Sequence, residues 1–502
     1  MSNPLYDTLL GPQSQSDKVF LHLPDGDTIS YAGFVGRVAQ FAGALRGLGV
    51  QPGDRVALQV EKCPDALALI FGCIQAGMIF LPLNTGYTPD EVVYFVENSG
   101  ARLLVCDPSR ADTLAAEAAR FGAECETLGP KGGSMSTRAD AAPTVAAVEQ
   151  RTSNDLAAFL YTSGTTGRSK GAMLSQHNLL SNALTLVDLW RFTDTDVLLH
   201  ALPIFHTHGL FVATNVILAA GGSMVFFPKL DDDALINWMP RATSLMGVPT
   251  FYTRLLDNPR FEGDVARSMR LFISGSAPLL AETHRQFEAR TGHRILERYG
   301  MTETNMSTSN PYEGDRRAGT VGLPLPGVEA KVCDDTGTEL PRGEIGTLEV
   351  RGPNVFQGYW QMPEKTAAEL RADGFFITGD LAVMDTEGYV TIVGRGKDLI
   401  ISGGFNIYPK EIEELLDGQP GVLESAVVGV PHPDFGETPV AVLVPLPGEV
   451  LDLEAVGAEV SARLARFKHP RHMELIDALP RNTMGKVQKA ALRERFAGLF
   501  SG

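Results

Sequence analysis

The sequence predicts an α/β protein with a large N-terminal domain of layered sheets and helices, a small β subdomain, and a smaller α+β C-terminal domain. Three observations carry this. Apolar strand-like runs alternate with helix-like segments through the first half, the pattern of α/β layers with mainly parallel sheets. From about residue 326 the rhythm changes to short β-type runs separated by turns. After Gly394-Arg-Gly-Lys-Asp398 a compact segment begins, with a helix opening at Pro409, where proline is tolerated in a first turn.

The elements follow in order. The apolar run 56–60 reads as a buried strand, 65–76 as a helix, and 103–107 as the next strand. Residues 127–154 are rich in Gly, Ser, Thr, Ala and Pro and read as a surface connection. The alternation resumes with a strand over 157–161, a helix near 178–190 and a strand over 197–202. Further strands are expected over 224–227, 244–248 and 271–274. The β subdomain, about 326–395, holds short strands at 329–333, 346–351 and 389–394. The N-terminal domain is thus placed at 1–395 and the C-terminal domain at 396–502. The latter has the Pro409 helix, strands over 424–430 and 440–444, and a helix near 453–466.

Bulk properties narrow the function classes. The chain has 502 residues, 44% hydrophobic and 21% charged, with a formal charge of −17. That balance argues against a broad nucleic-acid footprint, which needs a basic face. Local basic groups and backbone N–H donors still allow an anionic substrate. Five cysteines match no CxxC pair and no zinc spacing, and suggest reduced thiols in a cytoplasmic protein. The N-terminus lacks a basic region followed by an apolar run, so no signal peptide is expected. No stretch is apolar for long enough to predict a membrane span.

The run Tyr161-Thr-Ser-Gly-Thr-Thr-Gly-Arg-Ser-Lys-Gly171 points to chemistry. Gly164, Gly167 and Gly171 let the backbone bend and approach a phosphate. Thr162, Ser163, Thr165, Thr166 and Ser169 add hydroxyl donors, and Lys170 adds charge. A concave run of N–H groups decorated in this way suits polyphosphate. It is not a Walker loop, because Gly167 is followed by Arg-Ser-Lys-Gly rather than Lys-Ser/Thr. On composition alone, such a loop is more often a plain turn.

The order of its residues resembles the signature loop of the adenylate-forming superfamily, which includes acyl-CoA synthetases, firefly-type luciferases and peptide-synthetase adenylation domains. Further blocks resemble that family in the same order: Phe205-His-Thr-His-Gly209, Glu297-Arg-Tyr-Gly-Met-Thr-Glu303, Gly379-Asp380, Gly394-Arg395 with Lys397 and Asp398, and Pro480-Arg-Asn-Thr-Met-Gly-Lys486. The resemblance implies a two-step reaction using ATP, Mg²⁺ and CoA. A carboxylate attacks the α-phosphorus, giving an acyl-adenylate and pyrophosphate. The CoA thiol then displaces AMP. The first step gathers negative charge, so fixed cations should dominate its catalysis.

The resemblance also implies roles. Lys486 is expected to be the main cation of adenylation. Glu303 is expected to hold Mg²⁺ with Thr162. Asp380 is expected to accept from the ribose hydroxyls, and Arg395 to add a ribose or phosphate contact. Gly275, Ser276, Ala277 and Tyr299 should line the adenine site, beside Glu297, Arg298, Gly300, Met301 and Thr302 of the same nucleotide block. Ser163, Gly164, Thr165, Thr166, Gly167 and Lys170 should grip pyrophosphate. His206 or His208 should flank the acid carboxylate. Two histidines at this spacing could suggest a metal, but no third ligand is evident. Lys397 is expected to be a hinge about which a mobile C-terminal domain swings, delivering either Lys486 or Ser402, Gly403 and Gly404, the last three facing the CoA arm.

For the acid, the histidine block lacks the aspartate with which peptide-synthetase domains hold an α-amine. The run 270–285, with 297–310, is similar to malonyl-CoA synthetases. That likeness implies malonate as substrate, Arg285 paired with its second carboxylate, Ser276 as a helper, and Met306 shaping the Cα side. A guanidinium fork suits a carboxylate bidentately. Another short acid, such as methylmalonate or acetate, remains an alternative, as does a non-catalytic adenylate-binding protein. Acetylation of Lys486 by a lysine acetyltransferase is expected to silence adenylation, because it removes the charge.

Overall fold

The computed structural model describes residues 2–162, 169–402, 405–482 and 485–500. Among these residues the strands form four sheets, and the chain is α/β. In the nine-stranded sheet, six neighbouring strands are parallel: Leu296–Met301, Leu271–Ser274, Ser244–Gly247, Val197–His200, Ser223–Phe226 and Val19–His22. Antiparallel strands finish both edges, Asn305–Ser309 and Leu323–Pro324 on one side and Thr28–Ser30 on the other. The parallel strands are wholly or largely buried and read as short apolar runs, as expected for strands covered on both faces.

The six-stranded sheet runs Glu124–Thr127, Leu103–Cys106, Arg55–Gln59, Ile79–Pro82, Leu156–Thr162 and Lys170–Ser175, parallel except for the last pair. The helix Gln176–Leu189 leaves its edge through a reciprocal cap between Ser175 and Asn178. Asn178 also donates 2.8 Å bonds to the carbonyls of Pro353 and Val355, fastening the segment that follows the second strand of the β subdomain. That subdomain is an antiparallel sheet of Glu329–Cys333, Ile345–Arg351, Phe376–Met384 and Val390–Arg395.

One segment departs from its sequence reading. Within the expected surface connection, Ser134–Asp140 is a helix whose Met135 and Ala139 are buried in the main core. Two apolar anchors one turn apart were too few to stand out among small polar residues.

The last sheet joins Phe405–Ile407, Ile400–Ser402, Gly436–Pro445 and Val422–His432, with His472–Leu475 parallel to Gly436–Pro445. Helix Pro409–Asp417 covers one face. Its Lys410 reaches back 2.6 Å to the carbonyl of Ile392.

Asp417, at the end of that helix, has an oxygen without a hydrogen-bond partner. Burial pushes its carboxyl up to about 7, against hydrogen bonding from Ser425 and with added repulsion from Glu413 and Glu424. A carboxyl raised in the fold binds its proton more tightly there than in the unfolded chain. Its contribution is therefore most favourable below the unfolded value and is lost as pH rises toward 7. Asp417→Asn should gain roughly 1–3 kcal/mol over wild type at pH 8 and less at pH 5. Urea midpoints at the two pH values check this. An equal difference at both would mean that Asp417 is ionised throughout.

Candidate active site

The strand Val197–His200 has Ser223–Phe226 on one side and Ser244–Gly247 on the other. Successive connections thus leave it in opposite directions. Ligands of open α/β sheets bind outside the carboxyl ends of strands at such a switch point. The segment leaving His200 carries His206 and His208. The next parallel ends carry Gly275-Ser-Ala277, after Ser274, and the block 297–303.

Strand alternation sorts that block. Glu297 and Tyr299 face one way. The Glu297 carboxylate accepts from the backbone N–H of Gly319 at 3.1 Å and lies 3.3 Å from His284 Nδ1. Tyr299 donates to Asp380 Oδ2 at 2.5 Å. Arg298 faces the opposite way, into the space beside the histidines. It is 3% exposed, and its Nε and one Nη have no hydrogen-bond partner. Burial holds the guanidinium down to about 9, with only the Tyr252 phenol opposing, so it stays charged at neutral pH. At Gly275 a Cβ would stand 2.4 Å from the guanidinium carbon, so a larger residue there would push Arg298 aside.

Both histidines are neutral at pH 7. Burial first, then the Arg298 charge, brings His206 down to about 4 and His208 well below its ordinary value. His208 Nδ1 lies 3.2 Å from Ser276 Oγ, and its Nε2 has no partner. Ser276 holds φ at +72°, a left-handed conformation costing an L-residue about 1–2 kcal/mol. Strain of this kind gathers at ligand sites. Met306 is buried on the strand paired with Gly300, its backbone clamped by the Asn182 amide.

Arg285 is a correction. The structure places it on the solvent face of helix Ala281–Thr291, its side chain 65% exposed and paired with Glu282 at 2.7 Å. It is not brought together with the histidines. Arg298, which the sequence reading assigned to the nucleotide block, is the arginine whose charge acts on both histidines.

Asp380 and Arg395 are paired across adjacent strands, with Arg395 Nε 2.5 Å from Asp380 Oδ1. A carboxylate has about four lone-pair positions, so Tyr299 and Arg395 leave acceptor capacity. Lys486 lies in the field of both residues and of Lys397 and Asp398, the latter two in the turn Gly396–Asp398. Its side chain is open to solvent yet walled by protein. That crowding, then the Arg395 charge, lowers its pKa, while Asp380 opposes. Gly485, at φ +74°, makes the turn before it, and a Cβ there would stand 3.4 Å from the Thr250 methyl.

A second cluster lies at the start of the glycine loop. Thr162 Oγ1 is 3.4 Å from Glu303 Oε1, and the Tyr359 hydroxyl lies 2.9 Å from Glu303 and 2.7 Å from Glu369. Lys170 is 3.3 Å from Glu369 and 4.2 Å from the Tyr359 ring centroid. Burial raises the Glu303 carboxyl, opposed by hydrogen bonds and by Lys170 and Arg395. Tyr359 and Glu369 were absent from the sequence reading, since no spacing marks them. Met301 ends the strand Leu296–Met301, with its sulfur 3.8 Å from the Tyr299 hydroxyl, and Ala277 and Thr302 lie in the turns after Leu271–Ser274 and Leu296–Met301. Ser402 is buried at the end of Ile400–Ser402. Ser163, Gly164, Thr165, Thr166, Gly167, Gly403 and Gly404 lie outside the described residues.

Comparison with known proteins gives the class. The AMP-binding enzyme family matches residues 11–360, and its C-terminal domain matches residues 411–486. A feruloyl-CoA synthase of Amycolatopsis sp is 37% identical over 94% of each chain. A malonate–CoA ligase of Arabidopsis thaliana is 34% identical over 89% of this chain and 79% of its own. The crystal structure of ATP-bound MatB from Rhodopseudomonas palustris is 57% identical over the whole of both chains, with a TM-score of 0.98. The apo form of MatB from the same organism gives 0.87.

The chain belongs to the AMP-binding enzyme family, the adenylate-forming enzymes. Within it, the chain is an AMP-forming acid:CoA ligase, an acyl-CoA synthetase with ATP and CoA as substrates. Among the described residues no helix is long and apolar enough to cross a membrane.

Proposed function

We propose that the chain ligates malonate to CoA through a malonyl-adenylate, releasing AMP and pyrophosphate. The observation that carries this is Arg298. A buried guanidinium with two unpartnered nitrogens is costly until an anion meets it. Among the described residues no carboxylate contributes to its charge environment. A dicarboxylic acid supplies the missing partner with one carboxylate and presents the other to ATP. His206, His208 and Ser276 then flank the acid, and Met306 bounds the space at its Cα. The Arabidopsis relative's name agrees with this reading.

The remaining roles follow. Lys486 bridges the attacking carboxylate and the α-phosphate, Asp380 accepts from the ribose hydroxyls, and Arg395 holds Asp380 in place while adding charge. Tyr299 and the 275–277 turn border the adenine, and Lys170 with the loop residues 163–167 grips pyrophosphate. Thr162 and Glu303 converge as oxygen donors. Among the described residues no three His, Cys, Asp or Glu side chains form a metal cage, and Mg²⁺ suits a site with few protein oxygens that leaves positions for phosphate and water. Bound there, Mg²⁺ would supply positive charge to the phosphate oxygens. Residues 1–395 and 396–502 act as two bodies about Lys397, the second presenting either Lys486 or Ser402 and the adjoining glycines.

The test is a panel of acids assayed for CoA-dependent AMP formation. Malonate should give the highest kcat/KM, with methylmalonate next. Acetate should fall by about 10²–10⁴, because it leaves Arg298 unpaired. Acetate turnover equal to that of malonate would overturn the assignment.

A further inference from the structure

Lys62 is a buried lysine to which the proposed reaction gives no task. It lies three residues beyond Arg55–Gln59 of the six-stranded sheet and crosses to the nine-stranded one. Its Nζ stands 2.8 Å from His200 Nδ1, 2.8 Å from the His200 carbonyl and 2.9 Å from the Leu202 carbonyl. It also lies 4.3 Å from the centroid of the Phe226 ring, within reach of a cation–π attraction. Burial lowers its pKa, and among the described residues no carboxylate contributes.

The histidine settles the direction of these bonds. His200 Nε2 lies 2.8 Å from the Gly209 carbonyl, which can only accept. Nε2 therefore carries the proton, and Nδ1 accepts. Lys62 then donates three times, which is the full capacity of an ammonium and one more than a neutral amine has. The chain Lys62–His200–Gly209 ends on the residue after His208. The same Gly209 carbonyl also accepts from Thr214 Oγ1 at 2.9 Å. Lys62 thus grips both ends of the segment 200–209: the start directly, and the end through His200.

We propose that Lys62 is a positioning residue for the acid site, seating His206 and His208 by pinning the 200–209 segment across two sheets. It governs acid binding without touching the acid. This rests on the reading that His206, His208 and Arg298 receive the acid.

The test uses the full chain with Lys62→Met, His200→Phe and the double variant. KM is measured for the acid at saturating ATP and for ATP at saturating acid, beside a thermal melt. Each single change should raise the acid KM by roughly 10–100-fold, the range expected when a reacting group is misplaced by about an ångström, and leave the ATP KM within about twofold. The double variant should be no worse than the poorer single one, since both break one chain of bonds. A merely structural lysine would lower the melting temperature and move both KM values together, or neither. Either result overturns the proposal, as does full additivity. If Lys62→Met does not fold, His200→Phe decides. If neither folds, Lys62 is a folding residue and the proposal fails. The acid used is the one that wild type turns over best, so a preference for an acid other than malonate removes the malonate assignment and leaves this test standing.

Discussion

Replacing Lys486 with alanine should nearly abolish adenylation while sparing the second half-reaction. The turn that carries it is tightly made. The Gly485 N–H donates to the Asn482 carbonyl, the Lys486 N–H donates to Asn482 Oδ1, and the Asn482 N–H donates to the Lys486 carbonyl, each at 2.9 Å. Arg481 donates to the Gly485 carbonyl at 2.5 Å and pairs with Glu424. The backbone of Lys486 is therefore fixed, and among the described residues its ammonium has no ion-pair partner within the chain. It lies in the field of Asp380 and Arg395. Alanine removes that charge without touching the turn, so the loss should fall on the step where charge gathers at phosphorus. We expect acid-dependent pyrophosphate release to fall by about 10²–10³, the cost of removing one preorganised group from an oxyanion-type site. Thioesterification from preformed acyl-adenylate should change by less than about tenfold on the same scale. Acetylation of Lys486 by a lysine acetyltransferase should act in the same direction, since it neutralises the same atom. Equal loss in both half-reactions would sink the division of labour between Lys486 and the Ser402 face.

Much of this was legible in the sequence because the relevant signals are local. The buried parallel strands read as short apolar runs bounded by turns. Asp380 and Arg395 read as separate motifs, and only their pairing across adjacent strands needed three dimensions. What could not be read is which way a side chain faces. Arg285 sits on a helix, where the sequence offers several faces, and the likeness to malonyl-CoA synthetases outweighed the solvated one. Arg298 sits in a run with no clean alternation of apolar and polar residues, and the segment 296–301 did not read as a strand. Once it is a strand, period-two geometry sends Arg298 to the face opposite Glu297 and Tyr299. An arginine inside a buried parallel strand then has to find either a partner or a ligand. Lys62 lay beyond sequence reading for another reason. Val60-Glu-Lys-Cys63 looks like a solvated turn, and its acceptors come from residues 200 and 202 in a different sheet.

Arg298→Met should separate the acid assignment from all the rest. Methionine fills similar space and carries no charge. Truncating one member of a buried charged pair typically costs about 2–5 kcal/mol, which predicts a loss of roughly 30- to several-thousand-fold in kcat/KM for malonate. The KM for ATP should stay near wild type, because Asp380, Arg395 and Tyr299 stand on the other side of the strand. Stability should move the opposite way. Within the chain the guanidinium is buried with two unpartnered nitrogens, and replacing buried charged groups with well-packed apolar ones is often neutral or stabilising by about 1–4 kcal/mol. A higher melting temperature beside a lost malonate activity is the signature of a group strained for function rather than for folding. Arg285→Ala is the control. Its exposed i,i+3 pair with Glu282 is worth little, so malonate kcat/KM should remain within about twofold. Should Arg285→Ala lose malonate turnover while Arg298→Met keeps it, the acid site lies elsewhere, and the buried guanidinium is left without an anion to explain it.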